Sequence, residues 1–169
     1  MIGDRKVNVF FDEVMLGHDP QVDLPFVPSR VEKHVRTILQ GLDFKWSYPE
    51  HPGRLTAIRR YLDENPIPGI HFTSGPTATY EQLSRVHTTS YLDHIFSLAG
   101  ESAWLDRDTT AVSPGSIEAA TAAAGNAIAA VESVINKESQ SAFALVRPPG
   151  HHAEPVRARG FCLLNNVAV

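Results

Sequence analysis

Two histidines stand side by side at positions 151 and 152, directly after Pro148-Pro149-Gly150 and shortly before Gly160-Phe161-Cys162. Neutral imidazole suits two tasks. One is metal ligation, which needs further ligands. The other is proton transfer: one ring takes a proton from a nucleophilic water, and the second stabilises developing negative charge. A histidine pair is also commonly a hydrogen-bonded loop element without chemistry. Here the context favours chemistry. The prolines stiffen the chain and remove two donors, and Gly150 permits a turn that brings both rings toward one pocket. Glu154 is the only nearby third ligand, and the chain contains no His-x-x-x-His and no Asp-x-His. That absence favours acid–base work over ligation.

Gly160-Phe161-Cys162 has two readings. Buried Phe and Cys are ordinary core residues. Beside a histidine pair, a glycine backbone and an aromatic ring also make one wall of a narrow channel. The apolar neighbours of Cys162 (Phe161, Leu163 and Leu164) mark it as an inert buried thiol and not a nucleophile.

The elements that must hold this loop are legible upstream. Val7 to Phe11 reads as a buried strand, and Ala142 to Val146 as another that runs straight into the histidine loop. Ser29 to Glu32 has capping-box spacing and opens a helix with Val31, Val35, Ile38 and Leu42 on one face. Arg54 to Leu62 reads as a helix stopped by Pro66 and Pro68. Ile70 to Phe72 is a short strand, and Thr79–Val86 and Ser90–Leu98 are short helices. The longest helix follows Ser113 as N-cap and Pro114 as first residue, with Ile117, Ala120, Ala124, Ile128, Val131 and Ile135 at helical spacing. Asn165 to Val169 resembles the start of a further helix. Strands alternating with helices predict an α/β fold with a mostly parallel sheet, whose ligand sites lie beyond the carboxyl ends of the strands.

The whole chain sets limits. Its apolar share of 43% supports a packed core, and the charged share of 20% is ordinary. A net charge of -4 without a basic tract argues against a nucleic-acid partner. No apolar run is long enough to span a membrane, and the N-terminus has no secretory-signal pattern. Cys162 is the single cysteine, which fits a reducing, cytoplasmic setting.

Taken together, RPPGHHAEPVRARGFCLLNNVAV at 147–169 resembles the histone deacetylase superfamily, including acetylpolyamine amidohydrolases, and most of all its class II and bacterial members. Phe11-Asp12-Glu13 with Gly17-His18 resembles the family's opening strand and loop. His51-Pro52-Gly53-Arg54-Leu55 is similar to its His-Pro-Glu-Arg-Pro-x-Arg-Leu element. Val86-His87 with Tyr91 is similar to its Val-His-x-x-x-Tyr. Asp106 to Glu118 resembles the lead-in to its long helix. The resemblance implies a three-layer arginase/deacetylase-like α/β fold, incomplete in this chain, with 1–169 as the N-terminal part of one domain and an insertion at about 21–48. It implies zinc-dependent hydrolysis of acetyl-lysine or acetylpolyamine amides. His152 would be general base and then acid, His151 its electrostatic support, and Gly160 and Phe161 the wall of the acyl channel. The family's zinc ligands, an Asp-x-His and a further Asp, belong to positions beyond Val169, so the chain alone is expected to lack a complete zinc site and activity. A non-catalytic remnant or association module is the alternative. The partners implied are an acetylated amine and a homo-oligomer contact through the insertion; Asp106 and Asp108 would favour cationic polyamines only if they line the rim and do not serve as turn caps.

Overall fold

The computed structural model describes residues 6–20, 31, 49–107 and 109–169. The insertion at about 21–48 and the helix expected from Ser29 lie outside the described residues, apart from Val31.

Strand β1 (Val7–Phe10) is β-branched and aromatic and occupies the centre of a three-stranded sheet. It pairs in parallel with β2 (Ile70–Thr73) and with β5 (Ser141–Ala144), so that Val9 lies opposite Phe72 on one side and Phe143 on the other. Asp12 ends the strand region: its carboxylate accepts the Val14 N–H at 3.0 Å and opens a 3-10 turn over Glu13–Gly17. Helices α1 (Gly53–Glu64), α2 (Tyr80–Leu83), α3 (Thr89–Ser97) and α4 (Ser116–Ile135) follow the expected order.

Helix α4 packs against β1 and β5, where the Asn8 amide donates to Ser133 Oγ at 3.0 Å in the interior. Side chains alternate faces along a strand, so Val9 and Phe72 point the other way. There Leu55 of α1 joins Val9 and Phe11 in one apolar cluster, and the Arg59 guanidinium lies 3.9 Å from the Phe72 ring centre. A second cluster, around Leu83, Leu92, Ile95, Ile117, Leu163 and Leu164, ties α3 and α4 to the C-terminal residues.

Three expectations change. Helix α4 starts at Ser116 with Gly115 as its cap, not at Pro114 under a Ser113 cap. Ser113 is committed elsewhere: its hydroxyl accepts the Asp19 N–H at 2.9 Å and lies 3.3 Å from the Gly17 carbonyl, tying the helix entrance to the end of the 3-10 turn. Strand β5 ends at Ala144 and is not buried, because Phe143 is 58% exposed. Among the described residues nothing pairs with its outer edge. The C-terminal residues form turns and no helix, with Asn165 Oδ1 accepting the Ala168 N–H. A two-stranded hairpin, β3 (Ala103–Trp104) and β4 (Ala111–Val112), had no signal in the sequence. Its loop is closed by Asp106, whose carboxylate accepts from the backbone N–H and the hydroxyl of both Thr109 and Thr110 at 2.6–3.0 Å.

Candidate active site

The histidine loop leaves the carboxyl end of β5 from a buried anchor. Arg147 is fully buried, and its guanidinium donates to three residues on two segments. Nε and Nη2 grip the Glu50 carboxylate at 3.1 and 2.9 Å. Nη2 also donates to the Glu50 carbonyl at 2.8 Å, and Nη1 to the carbonyls of Met15 (3.0 Å) and His18. Two-pronged arginine–carboxylate contact fixes orientation as well as position. The same cluster holds His18: its Nδ1 lies 2.6 Å from Ser116 Oγ and its Nε2 3.6 Å from Glu50 Oε2. Burial, then the neighbouring Arg147 charge, lowers the His18 pKa to about 3, so the ring is neutral.

From this anchor the chain passes through Pro148 and Pro149 to a turn closed by Ala153 N–H on the Gly150 carbonyl at 3.0 Å. A side chain at Gly150 would press on the Asn166 backbone and come within 2.6 Å of the Leu164 carbonyl, so only glycine lets the loop lie on the C-terminal turns. Asn166 fastens the same contact by donating its amide to the Pro148 carbonyl at 3.0 Å. His151 and His152 then stand with ring centres 4.2 Å apart and planes tilted by 50°. Both residues are exposed. The turn brings the two imidazoles together, but the cleft described next is lined by His152 and not by His151.

His152 and Gly160 face one open cleft of about 610 Å³. Gly160 has a φ of +56°, and a Cβ there would sit 2.9 Å from His152 Cδ2. Glycine is therefore demanded twice, by conformation and by closeness to the ring. Phe161 follows with a φ of +69°, a conformation that L-residues other than glycine adopt rarely and that is found disproportionately at working sites. Its N–H donates to Thr110 Oγ1 at 3.1 Å, and Thr110 donates onward to Asp106. The β3–β4 hairpin thereby fixes Gly160-Phe161, of which Gly160 lines the cleft and Phe161 does not. Phe161 is half-buried. Cys162 is fully buried, and burial pushes its thiol up, which accords with an inert thiol and not a nucleophile.

His87 joins the far side of the loop to the C-terminal turns. Its Nε2 accepts the Asn165 N–H at 2.9 Å, which leaves Nδ1 to donate to the Glu154 carbonyl at 3.1 Å. Tyr91, four residues on in α3, donates its hydroxyl to the Leu163 carbonyl at 2.7 Å. The two residues of the Val-His-x-x-x-Tyr stretch are thus braces for the loop.

The anchor Glu50–Arg147–His18 escapes the sequence reading as a unit. A signal for Glu50 is present: when the His-Pro-Glu-Arg-Pro-x-Arg-Leu element is set on Arg54-Leu55, its glutamate falls at position 50 and not at Gly53. Among the described residues no three His, Cys, Asp or Glu side chains gather as a ligand group.

A parallel sheet thus carries a paired-histidine loop beyond a strand end, with Gly160 packed close to the His152 ring. The histone deacetylase domain pattern matches residues 48–169, and the chain belongs to the histone deacetylase family. It is 34% identical over 171 residues to histone deacetylase 8 of Arabidopsis thaliana and 32% identical over 173 residues to the histone deacetylase-like amidohydrolase of Pseudomonas aeruginosa. In both cases 98% of this chain aligns with 42% of the relative. The crystal structure of the HDA15 HD domain superposes with a TM-score of 0.78 at 30% identity, again over 98% of this chain and 42% of that one. The fold is therefore an incomplete arginase/deacetylase-like α/β fold, and the chain spans less than half the length of these relatives.

Proposed function

We propose that this chain supplies the acid–base part of a domain that hydrolyses N-acetyl amides of the acetyl-lysine or acetylpolyamine type. The observation that carries the reading is the His151–His152 pair, held 4.2 Å apart on a buried arginine anchor with His152 facing a cleft beside Gly160. In this reading water attacks the amide carbonyl, and His152 takes the proton from that water. It then returns the proton to the departing amine, releasing acetate. His151 stabilises the negative charge that develops on the carbonyl oxygen. Gly160 and Phe161 border the acyl chain.

Zinc is the metal the family resemblance implies, but its ligands are not found among the described residues, and no step here runs through it. The proposal includes a cytoplasmic setting, resting on the single buried thiol; among the described residues no helix is long and apolar enough to cross a membrane.

Alanine variants in a complete domain containing this chain separate the roles. His152→Ala removes the proton-transfer group and lowers kcat by about 10²–10⁴. His151→Ala is slow through lost electrostatic support. Phe161→Ala chiefly raises KM, because it removes wall and not chemistry. Normal turnover by His152→Ala would make the pair a structural loop.

One observation favours a second reading, that of an association module. Phe143 is 58% exposed on an edge strand, and open edges with apolar side chains invite pairing.

A further inference from the structure

The cleft beside His152 carries an unusual amount of positive charge for a site that would receive an acetylated amine. Among the described residues its lining includes Arg107, Arg157 and Arg159 and one acid, Asp106. Asp106 is turned inward: four donors of Thr109 and Thr110 take up its two oxygens. It is a loop cap and offers little to a cationic ligand. Asp108 lies outside the described residues.

Arg157 and Arg159 share a single carboxylate, Glu154. Arg157 reaches it through Nε and Nη2 at 2.8 and 3.0 Å, and Arg159 through Nη1 at 2.9 Å. The hydrogen bonds from Arg157 and then Arg159 hold the Glu154 carboxyl down at about 2. Two guanidiniums on one carboxylate leave an uncompensated positive charge and several free N–H groups. Both arginines are more than half exposed, so their contacts with Glu154 are weak and exchangeable. Their position is fixed from below, because Glu154 N–H and carbonyl pair with Arg157 across a tight turn whose neighbours Ala153 and Ala158 are buried.

We infer that Arg157 and Arg159, with Arg107, form an anion-selecting rim, so that the site takes an acyl-lysine carried beside a carboxylate, in an acidic peptide segment, in preference to a cationic acetylpolyamine. This rests on the proposed deacylation at His152 and narrows its substrate. The carboxylate of the segment would bind the free edges of the arginines while the acyl-lysine enters past Gly160.

The test is a titration of a complete, ¹⁵N-labelled domain containing this chain, slowed by His152→Ala so that the acetyl peptides persist, following the amides of Arg157 and Gly160. The probes are an acetyl-lysine peptide flanked by aspartates, the same peptide flanked by lysines, the aspartate peptide without its acetyl group, and N-acetylspermidine. The aspartate-flanked acetyl peptide binds roughly three- to tenfold tighter than the lysine-flanked one, the size expected from two exposed charge pairs. The preference shrinks as salt rises from about 0.05 M to about 0.5 M, and the double variant Arg157→Ala/Arg159→Ala abolishes it. Equal affinity for the two acetyl peptides, or tighter binding of N-acetylspermidine, overturns the rim and leaves the deacylation reading standing. Equal binding of the acetylated and unacetylated aspartate peptides overturns the substrate claim together with the deacylation reading. The absence of any shift with all four probes overturns the inference as well. The peptide comparison and its salt dependence need no change at the arginines, so they decide the matter even where the double variant does not fold.

Discussion

Arg147 is the residue on which the histidine loop depends most directly. It joins the end of β5 to the Glu50 carboxylate and to the Met15 and His18 carbonyls, all in the interior. Such an ion pair is weak grounds for stability as a whole, but breaking it from one side leaves a buried charge uncompensated. Glu50→Gln should therefore destabilise the chain by about 3–5 kcal/mol in urea melts, whereas an exposed acid such as Glu64 should be replaceable at a cost within about 0.5 kcal/mol. Equal effects of the two changes would show that Arg147 is satisfied without Glu50. In the same interior Cys162 should resist thiol reagents in the folded chain and react once urea unfolds it; rapid labelling of the native chain would contradict its burial.

At the scale of elements, the neutral His18 couples the 3-10 turn to the entrance of α4 through Ser116. Its folded pKa, about 3, lies below the ordinary 6.5. The unfolded chain therefore binds more protons between those values, and stability present above about pH 6.5 is lost as pH falls through that window. One such group contributes up to about 1.4 kcal/mol per pH unit. His87, also lowered by burial, acts in the same direction. Urea midpoints should fall from about pH 7.5 to about pH 5, and His18→Asn should flatten the slope. An unchanged slope in that variant would place the acid sensitivity elsewhere. Elements that rest on local pattern were legible in the sequence. The parallel pairing of β1 with β5 followed from apolar runs joined by helices, and α4 from alanine and isoleucine at helical spacing. The histidine pair was legible because prolines and glycine frame it. Features set by distant partners were not. Ser113 reads as a cap until Asp19 and Gly17 claim its hydroxyl. Glu50 and Arg147 are far apart in the chain, and neither type nor spacing announces their contact. Two-residue strands such as β3 and β4 are too short to show alternation.

For the whole molecule, the sheet has an open side among the described residues. Phe143 shares a face with Val9 and Phe72 but lacks the cover that α1 gives those two. The chain purified alone should self-associate, and Phe143→Lys should shift it toward monomer in sedimentation, since a charge on an edge strand blocks pairing. A monomer already present before the change would deny the edge any such role. The central claim is that His152 moves the proton in amide hydrolysis, and imidazole rescue tests it most directly. In a complete domain containing this chain, His152→Ala should lose about 10²–10⁴ in kcat, and added imidazole should restore part of that loss in proportion to its neutral form. A His152→Ala domain that turns over at the normal rate, or one that stays silent at every imidazole concentration while still binding substrate, would contradict the account.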